Sequence, residues 1–136
     1  ISNTNILAQT NSIEKQLHSN WEFQQKGSKK WHKATVPGCI HTDLMNNGMI
    51  EDPYYRLNES KVQWVDKKDW VYKNKFYINK KEYDKQHHEI HFKGLDTYAS
   101  VYLNDSESAC TDFWLAKYFL CAAKASAFAC SICLRN

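Results

Sequence analysis

The chain has 136 residues, of which 43% are apolar and 14% aromatic, with four glycines and two prolines. These values are typical of one globular domain, or of a piece of a larger protein, and they exclude a disordered tail, a collagen-like chain and a low-complexity linker. The formal net charge is +3, and only Arg56 and Arg135 are arginines. Because arginine is the main reader of phosphates and guanine edges, we predict no nucleic-acid partner.

Residue usage changes sharply after Asp105. The first 105 residues contain three alanines and one cysteine, whereas residues 106–136 contain seven alanines and four cysteines. A single domain rarely changes its composition at one point. We therefore divide the chain into a lead-in (1–20), an informative segment (21–105) and a tail (106–136).

The longest apolar run, residues 114–134, lies in the tail. Lys117 and Lys124 interrupt it, and each lysine near the centre of a membrane helix costs about 2.5–3.5 kcal/mol on insertion. We predict no membrane span.

The segment 21–105 shows the two-residue alternation of half-buried strands. Alternation predicts strands over residues 21–25, 70–78, 88–92 and 99–103, with a shorter extended run at 31–36. Between them we expect one or two helical turns at 41–47 capped by Thr42, a long loop at 52–66, a charged turn at 80–86 and a hairpin turn at Asn104–Asp105. Short alternating strands with little helix predict an all-β fold, an antiparallel β-sandwich.

Two groups of side chains invite a metal interpretation. On a strand, His87, Glu89 and His91 share one face, and two histidines with a carboxylate can hold zinc. Cys130 and Cys133 form a lone C-x-x-C, which lacks the second pair of a zinc ribbon. Because a solvated strand face explains the first group and no fourth ligand can be named, we predict no metal and no cofactor.

Two N-x-S sequons, at Asn58 and Asn104, would accept glycans only in a secretory host. Aromatic residues also concentrate around the 52–66 loop: Tyr54, Tyr55, Trp64, Trp70 and Tyr72. Such rings stack on the apolar faces of sugars, but they equally supply the core of a small sandwich. The pattern alone favours the core.

A long stretch carries a family resemblance. Residues 31–72 read W-H-K-A-T-V-P-G-C-I-H-T-D-L-M-N-N-G-M-I-E-D-P-Y-Y-R-L-N-E-S-K-V-Q-W-V-D-K-K-D-W-V-Y, preceded by W-E-F-Q-Q-K-G and followed by F-K-G-L-D-T-Y-A-S-V-Y-L-N-D. In this order the blocks closely resemble the N-terminal domain of family 2 β-mannosidases. The resemblance covers residues 21–105.

The resemblance implies a jelly-roll sandwich of the galactose-binding-like type, and the function of a fragment of a retaining exo-glycosidase that removes terminal β-D-mannose. Retention requires two carboxyl groups about 5 Å apart, and in the family both are glutamates of a downstream (β/α)₈ barrel. We therefore assign no catalytic residue to this chain and expect it to be inactive alone. The implied partners are β-mannosides or mannose-containing oligosaccharides and the catalytic barrel of the same enzyme. Family membership further implies a secreted or periplasmic location in bacteria and a lysosomal one in animals. The alternative is a free-standing carbohydrate-binding or interaction module.

The same resemblance also implies which residues bind the substrate. In the family, the loop matching residues 52–70 helps to wall the terminal mannose subsite, which makes Arg56, Asn58, Trp64 and Asp69 the candidate substrate-binding residues. Asn58 would bond a hydroxyl, Trp64 would stack or close the pocket, and Arg56 with Asp69 would brace the loop. For each residue, a loop-fixing role without sugar contact is the alternative.

The tail departs from the family. After V-Y-L-N-D the family continues through a strand into a block resembling A-D-N-M-F, which residues 106–136 do not contain. We expect this tail to come from a shifted reading frame or a mis-joined gene, which would leave the sandwich incomplete at its C-terminus.

Overall fold

The computed structural model describes residues 12–85, 88–95 and 99–104 in full, and the backbone of three further strands at 106–111, 118–120 and 129–135. In chain order the elements are β1 (Trp21–Gln25), β2 (His32–Lys33), α1 (Ile40–Asn46), α2 (Asn58–Val62), a 3₁₀ turn (Val65–Lys67), β3 (Trp70–Tyr77), α3 (Lys80–Tyr83), β4 (Glu89–His91), β5 (Ala99–Leu103), β6 (Ser106–Thr111), β7 (Tyr118–Leu120) and β8 (Ala129–Arg135).

The strands form two antiparallel sheets. The larger has the order β2-β1-β3-β8-β5-β6, and the smaller pairs β4 with β7. In the larger sheet, Tyr72 of β3 lies opposite Phe23 of β1 on one side and Leu134 of β8 on the other. The prediction of an all-β, antiparallel sandwich is confirmed.

Alternation along β1 and β3 separates a core face from an outer face, as predicted. Trp70 and Asn74 of β3 are buried on the core face, and Trp21 and Phe23 of β1 lie beside them, with Phe23 fully buried. The outer face carries charged residues such as Lys75, which is exposed.

Two apolar clusters fill the core face. One joins Trp21 to Val101 and Leu103 of β5, and Ile90 of β4 and Phe92 pack against it, so the smaller sheet lies over the larger. The other cluster joins helices to strands and consists of Phe23, Leu44, Val62, Val65 and Trp70. This second cluster supports the segment that carries the predicted sugar-facing residues.

The prediction of a long loop at 52–66 was wrong, because α2 and the 3₁₀ turn lie within it. Both elements are too short for their periodicity to stand out in the sequence. They form because Val62 and Val65, three residues apart, place their side chains on the same side and bury them against the core.

Two further local predictions were wrong. Residues 80–86 are not only a charged turn, since α3 begins there with a capping box in which Asn79 and Glu82 bond each other's backbone amides. Thr42 is not the cap of α1, because the helix starts one turn earlier, at Ile40, with Cys39 as its N-cap. The Thr42 hydroxyl instead lies 3.2 Å from the Cys39 sulfur.

The extended run at 31–36 yields only the two-residue strand β2. Ala34 still donates its amide to the carbonyl of Trp21 at 2.9 Å. The next amide, that of Thr35, donates to the Asp43 carboxylate instead, so the ladder stops there.

The hairpin turn at Asn104–Asp105 is confirmed, because Leu103 of β5 pairs with Ser106 of β6 across it. Asn104 has a φ of 50°, the left-handed conformation that asparagine tolerates well. Beyond the turn, the backbone of the tail supplies three strands, and β8 lies between β3 and β5.

Candidate functional site

The segment 52–69 begins with a closed turn held by Asp52. Its carboxylate accepts the amide of Tyr54 at 2.9 Å, and its carbonyl accepts the amide of Tyr55 at 3.1 Å. The same carbonyl also accepts the side-chain amide of Asn58 at 3.1 Å. Asn58 is therefore buried and bonded within the turn, with 7% of its surface exposed.

This turn projects large side chains into solvent. Tyr54 is 97% exposed and Leu57 is 83% exposed. Between them, Arg56 adopts a left-handed φ of 53°, and its guanidinium lies 5.1 Å from the centre of the Tyr55 ring. A cation over an aromatic face is attracted to it, so the two side chains stabilise one another at the tip.

Trp64 stands at the other end of α2, with 37% of its surface exposed. Its ring lies 6.1 Å from the ring of Trp70, at an interplanar angle of 49°. Trp70 is buried, and its indole N–H donates to the carbonyl of Val65 at 3.0 Å. The Trp64 ring is therefore backed by a fixed partner while part of it faces solvent.

Asp69 closes the segment against β1. Its carboxylate lies 2.9 Å from the Lys26 ammonium, and its carbonyl accepts the backbone amide of the same lysine at 2.9 Å. Arg56 and Asp69, which we expect to brace the loop, make two separate contacts, Arg56 on Tyr55 and Asp69 on Lys26. Of the four candidates, Arg56, Trp64 and Asp69 are exposed and Asn58 is buried.

Sequence reasoning missed the buried polar centre beneath this segment. Asp43 of α1 is 1% exposed; its carboxylate accepts the Thr35 amide at 2.8 Å and the Tyr72 hydroxyl at 2.9 Å. Burial raises the pKa of Asp43 against the opposing effect of these two hydrogen bonds. Burial and the neighbouring carboxylate raise the pKa of Tyr72, so the phenol stays protonated and donates.

Asn47, the C-cap of α1, adds two hydrogen bonds beside Asp43. The side-chain amide of Asn47 donates to the carbonyls of Lys33 and Asp43, at 2.9 and 2.8 Å. On the outer side of the helix, the His41 ring lies 3.8 Å from the Asp66 carboxylate of the 3₁₀ turn. In the sequence, Asp43 is an aspartate directly before an apolar residue, Leu44, in a short helical stretch, and this pattern does not indicate burial.

The metal interpretation gains no support. Glu89 and His91 do share a face of β4, and their side chains lie 3.0 Å apart. His87 lies outside the described residues, as do the side chains of Cys130 and Cys133. Within the described part of the chain, no three metal-ligating side chains cluster. In the same part, no helix is long and apolar enough to cross a membrane.

Together, these features describe a galactose-binding-like β-sandwich with an exposed, internally braced segment at one side. The model of the family described as glycosyl hydrolase 2, galactose-binding domain-like, matches residues 21–118. The chain belongs to this family. The match runs past Asp105, where the resemblance found in the sequence stops.

Known relatives agree with the family. The chain is 33% identical to a β-mannosidase of Bos taurus over 109 residues, which are 80% of this chain and 12% of the bovine protein. It is 38% identical to β-mannosidase B of Thermothelomyces thermophilus over 91 residues, 65% of this chain and 10% of that protein. The crystal structure of a β-D-mannosidase from Dictyoglomus thermophilum superposes with a TM-score of 0.81 at 40% identity, covering 85% of this chain and 14% of that one. The chain therefore spans a small part of the relatives it matches.

Proposed function

We propose that this chain is the N-terminal domain of a β-mannosidase, a retaining exo-glycosidase acting on terminal β-D-mannose. The observation that carries the proposal is the similarity to the Dictyoglomus β-D-mannosidase over most of this chain, in both sequence and backbone. In such an enzyme the domain supplies no catalytic carboxylate. The substrates of the enzyme are then β-mannosides, and the catalytic partner of this domain is the barrel of the same polypeptide. The enzyme is then secreted, periplasmic or lysosomal.

We further propose that the 52–69 segment forms part of the wall of the sugar pocket. Trp64 is suited to this role because its ring is partly exposed and fixed by Trp70, so stacking on a sugar face costs little ordering. Arg56 and Asp69 offer exposed charged groups for hydroxyls. Asn58 contributes differently, because its amide N–H already donates to the Asp52 carbonyl; its role is to hold the turn that presents Arg56.

A domain exchange tests the pocket role. Residues 21–105 of this chain replace the matching segment of the Dictyoglomus enzyme, and hydrolysis of an aryl β-mannoside is measured. We expect the chimera to be active and Trp64→Ala to lower its kcat/KM by about tenfold, the equivalent of about 1.4 kcal/mol. Trp31→Ala is the matched control, because Trp31 packs on Lys73 instead, with the ammonium 3.6 Å from the ring centre. Equal activity of both variants would contradict the pocket role.

The isolated chain separates this proposal from a free-standing binding module. We expect no hydrolysis of an aryl β-mannoside and no heat on calorimetric titration with mannose or mannobiose, since most of the pocket lies elsewhere. Saturable heat without turnover would favour the binding module, and turnover above a mock preparation would contradict the assignment of catalysis to the barrel.

The division of the chain at residues 20 and 105 stays a prediction, as does the origin of residues 106–136 in a shifted or mis-joined reading frame. Resequencing the coding DNA from codon 95 and translating all forward frames tests it. A D-N-M-F-like block in another frame would support a displaced tail, and its absence from every frame would contradict it.

A further inference from the structure

The sequence contains one asparagine–glycine pair, Asn47–Gly48, directly after α1. Asparagine before glycine is prone to deamidation, because glycine has no Cβ to hinder attack by its own backbone nitrogen on the preceding side chain. The Gly48 nitrogen forms a bond to Cγ of Asn47, the Cγ–Nδ2 bond breaks, and the leaving nitrogen takes up the Gly48 amide proton and departs as ammonia. Water then opens the cyclic succinimide at either carbonyl, which gives aspartate or isoaspartate.

The folded chain holds this pair in a geometry that does not allow the reaction. Asn47 has a ψ of 6°, so the Gly48 nitrogen eclipses the backbone nitrogen of Asn47 and lies away from its Cβ. Ring closure requires the Gly48 nitrogen to lie beside the Cβ–Cγ bond instead. The Gly48 amide is also engaged, because it donates to the Met45 carbonyl at 2.9 Å. The reacting atoms therefore meet only when the end of α1 opens.

Hydrogen bonds hold the end of α1 closed. The side-chain amide of Asn47 donates to the Lys33 carbonyl of β2 at 2.9 Å and to the Asp43 carbonyl of α1 at 2.8 Å. The amide of Met49 donates to the Leu44 carbonyl at 2.8 Å and closes the turn that follows the helix. Rotation of the Asn47 side chain toward the next backbone nitrogen breaks its two bonds, so the reactive form belongs to the locally opened chain.

Either product of deamidation is incompatible with this helix end. Aspartate at position 47 has no N–H to donate, so its carboxylate would face the carbonyl oxygens of Lys33 and Asp43. Isoaspartate adds a carbon to the main chain before Gly48 and displaces its amide from the Met45 carbonyl. We infer that Asn47 is a deamidation site of the unfolded chain, that folding protects it, and that the modified chain cannot regain this structure. The inference is independent of the proposed function.

The first experiment compares the full chain in mildly alkaline buffer with the same chain in guanidinium chloride. Peptide mapping by mass spectrometry follows aspartate and isoaspartate at position 47 over time. We expect the reaction to be at least about tenfold slower in buffer, which corresponds to an opening free energy of about 1.4 kcal/mol. Gly48→Ala, whose added methyl group hinders the attack, should slow the reaction in denaturant. Equal rates with and without denaturant would overturn the inference.

The second experiment tests the product. Asn47→Asp should lower the midpoint of urea unfolding, whereas Asn46→Asp, which adds the same charge at the exposed preceding residue, should lower it much less. An unchanged midpoint for Asn47→Asp would overturn the inference. If this variant does not fold, chain aged in denaturant is diluted into buffer, and modified molecules should collect in the precipitate. Their equal share in the soluble, protease-resistant fraction would overturn the inference as well.

Discussion

Replacing Tyr72 with phenylalanine removes one hydroxyl, and with it the O–H that donates to the buried Asp43 carboxylate over 2.9 Å. Among the described residues, the Thr35 amide is then the remaining donor to that carboxylate, which is 1% exposed. Because a hydrogen bond to a charged group contributes about 1.5–3 kcal/mol, we expect Tyr72→Phe to lower the free energy of unfolding by that amount near neutral pH. Tyr77→Phe on the same strand is the control, since Tyr77 is 71% exposed.

The free energy of unfolding that Tyr72→Phe removes should depend on pH. Burial raises the pKa of Asp43 above its usual 3.8, so the folded state binds this proton more tightly than the unfolded state. The stability due to Asp43 is therefore fully present below pH 3.8 and falls as the pH rises through the folded pKa. Tyr72→Phe removes a bond that lowers this pKa, so its cost should be largest when the carboxylate is charged and should shrink in acid.

Urea unfolding followed by tryptophan fluorescence, at about pH 3.5 and about pH 7.5, measures both effects. In an Asp43→Asn background the side chain is neutral, so Tyr72→Phe should cost only about 0.5–1.5 kcal/mol and show no pH dependence. An equal loss at both pH values, unchanged by Asp43→Asn, would refute the coupling between these residues.

Two other substitutions probe the packing around α1. Leu44→Ala should lower the free energy of unfolding in urea by about 2–5 kcal/mol, because this fully buried side chain belongs to the second apolar cluster. Met45 is 38% exposed on the same helix, so Met45→Ala should change the free energy of unfolding by no more than about 0.5 kcal/mol. Similar losses for both variants would refute this packing. A Cβ at Gly38 would lie 2.3 Å from the Thr35 carbonyl oxygen, so Gly38→Ala should lower the unfolding midpoint by the equivalent of about 1–3 kcal/mol. Gly94 has open space around it, so Gly94→Ala should leave the unfolding midpoint unchanged. An unchanged midpoint for Gly38→Ala would contradict the close approach of Gly38 to the Thr35 carbonyl.

The sheet was predictable because the two-residue alternation of apolar and polar side chains is a local feature of each strand's sequence. In β3, Trp70 and Asn74 of the expected core face are buried, and they lie opposite Gln25 and Trp21 of β1. Val71, expected on the opposite face, is buried as well, at 6% exposure. The hairpin at Asn104 was predictable for a similar local reason, since asparagine accepts the left-handed conformation of a two-residue turn.

The site was less predictable because its geometry depends on contacts between distant residues. Nothing local distinguishes the buried Asp43 from an exposed helix aspartate, since its hydrogen-bond partner Tyr72 lies on a strand 29 residues further along the chain. The sequence around Asn58 is equally consistent with a side chain that binds sugar and with one that stabilises a turn. Its bond to the Asp52 carbonyl favours the second role, and only a three-dimensional description could supply that bond.

The position of β8 in the larger sheet has a consequence for the order of folding. Strands β1 and β2 are neighbours in the sequence, as are β5 and β6, whereas β1 pairs with β3 across α1 and α2. In the described part of the chain, β3 joins β5 only through β8, which pairs Tyr77 with Ala129 and Leu103 with Ile132. Pairing β8 with β3 and β5 closes longer stretches of chain than the β1–β2 and β5–β6 pairs do, and therefore costs more chain entropy than those two pairs. We expect β8, the last strand in the chain, to join the sheet late, and until it does the unpaired edge of β3 can pair with another extended chain.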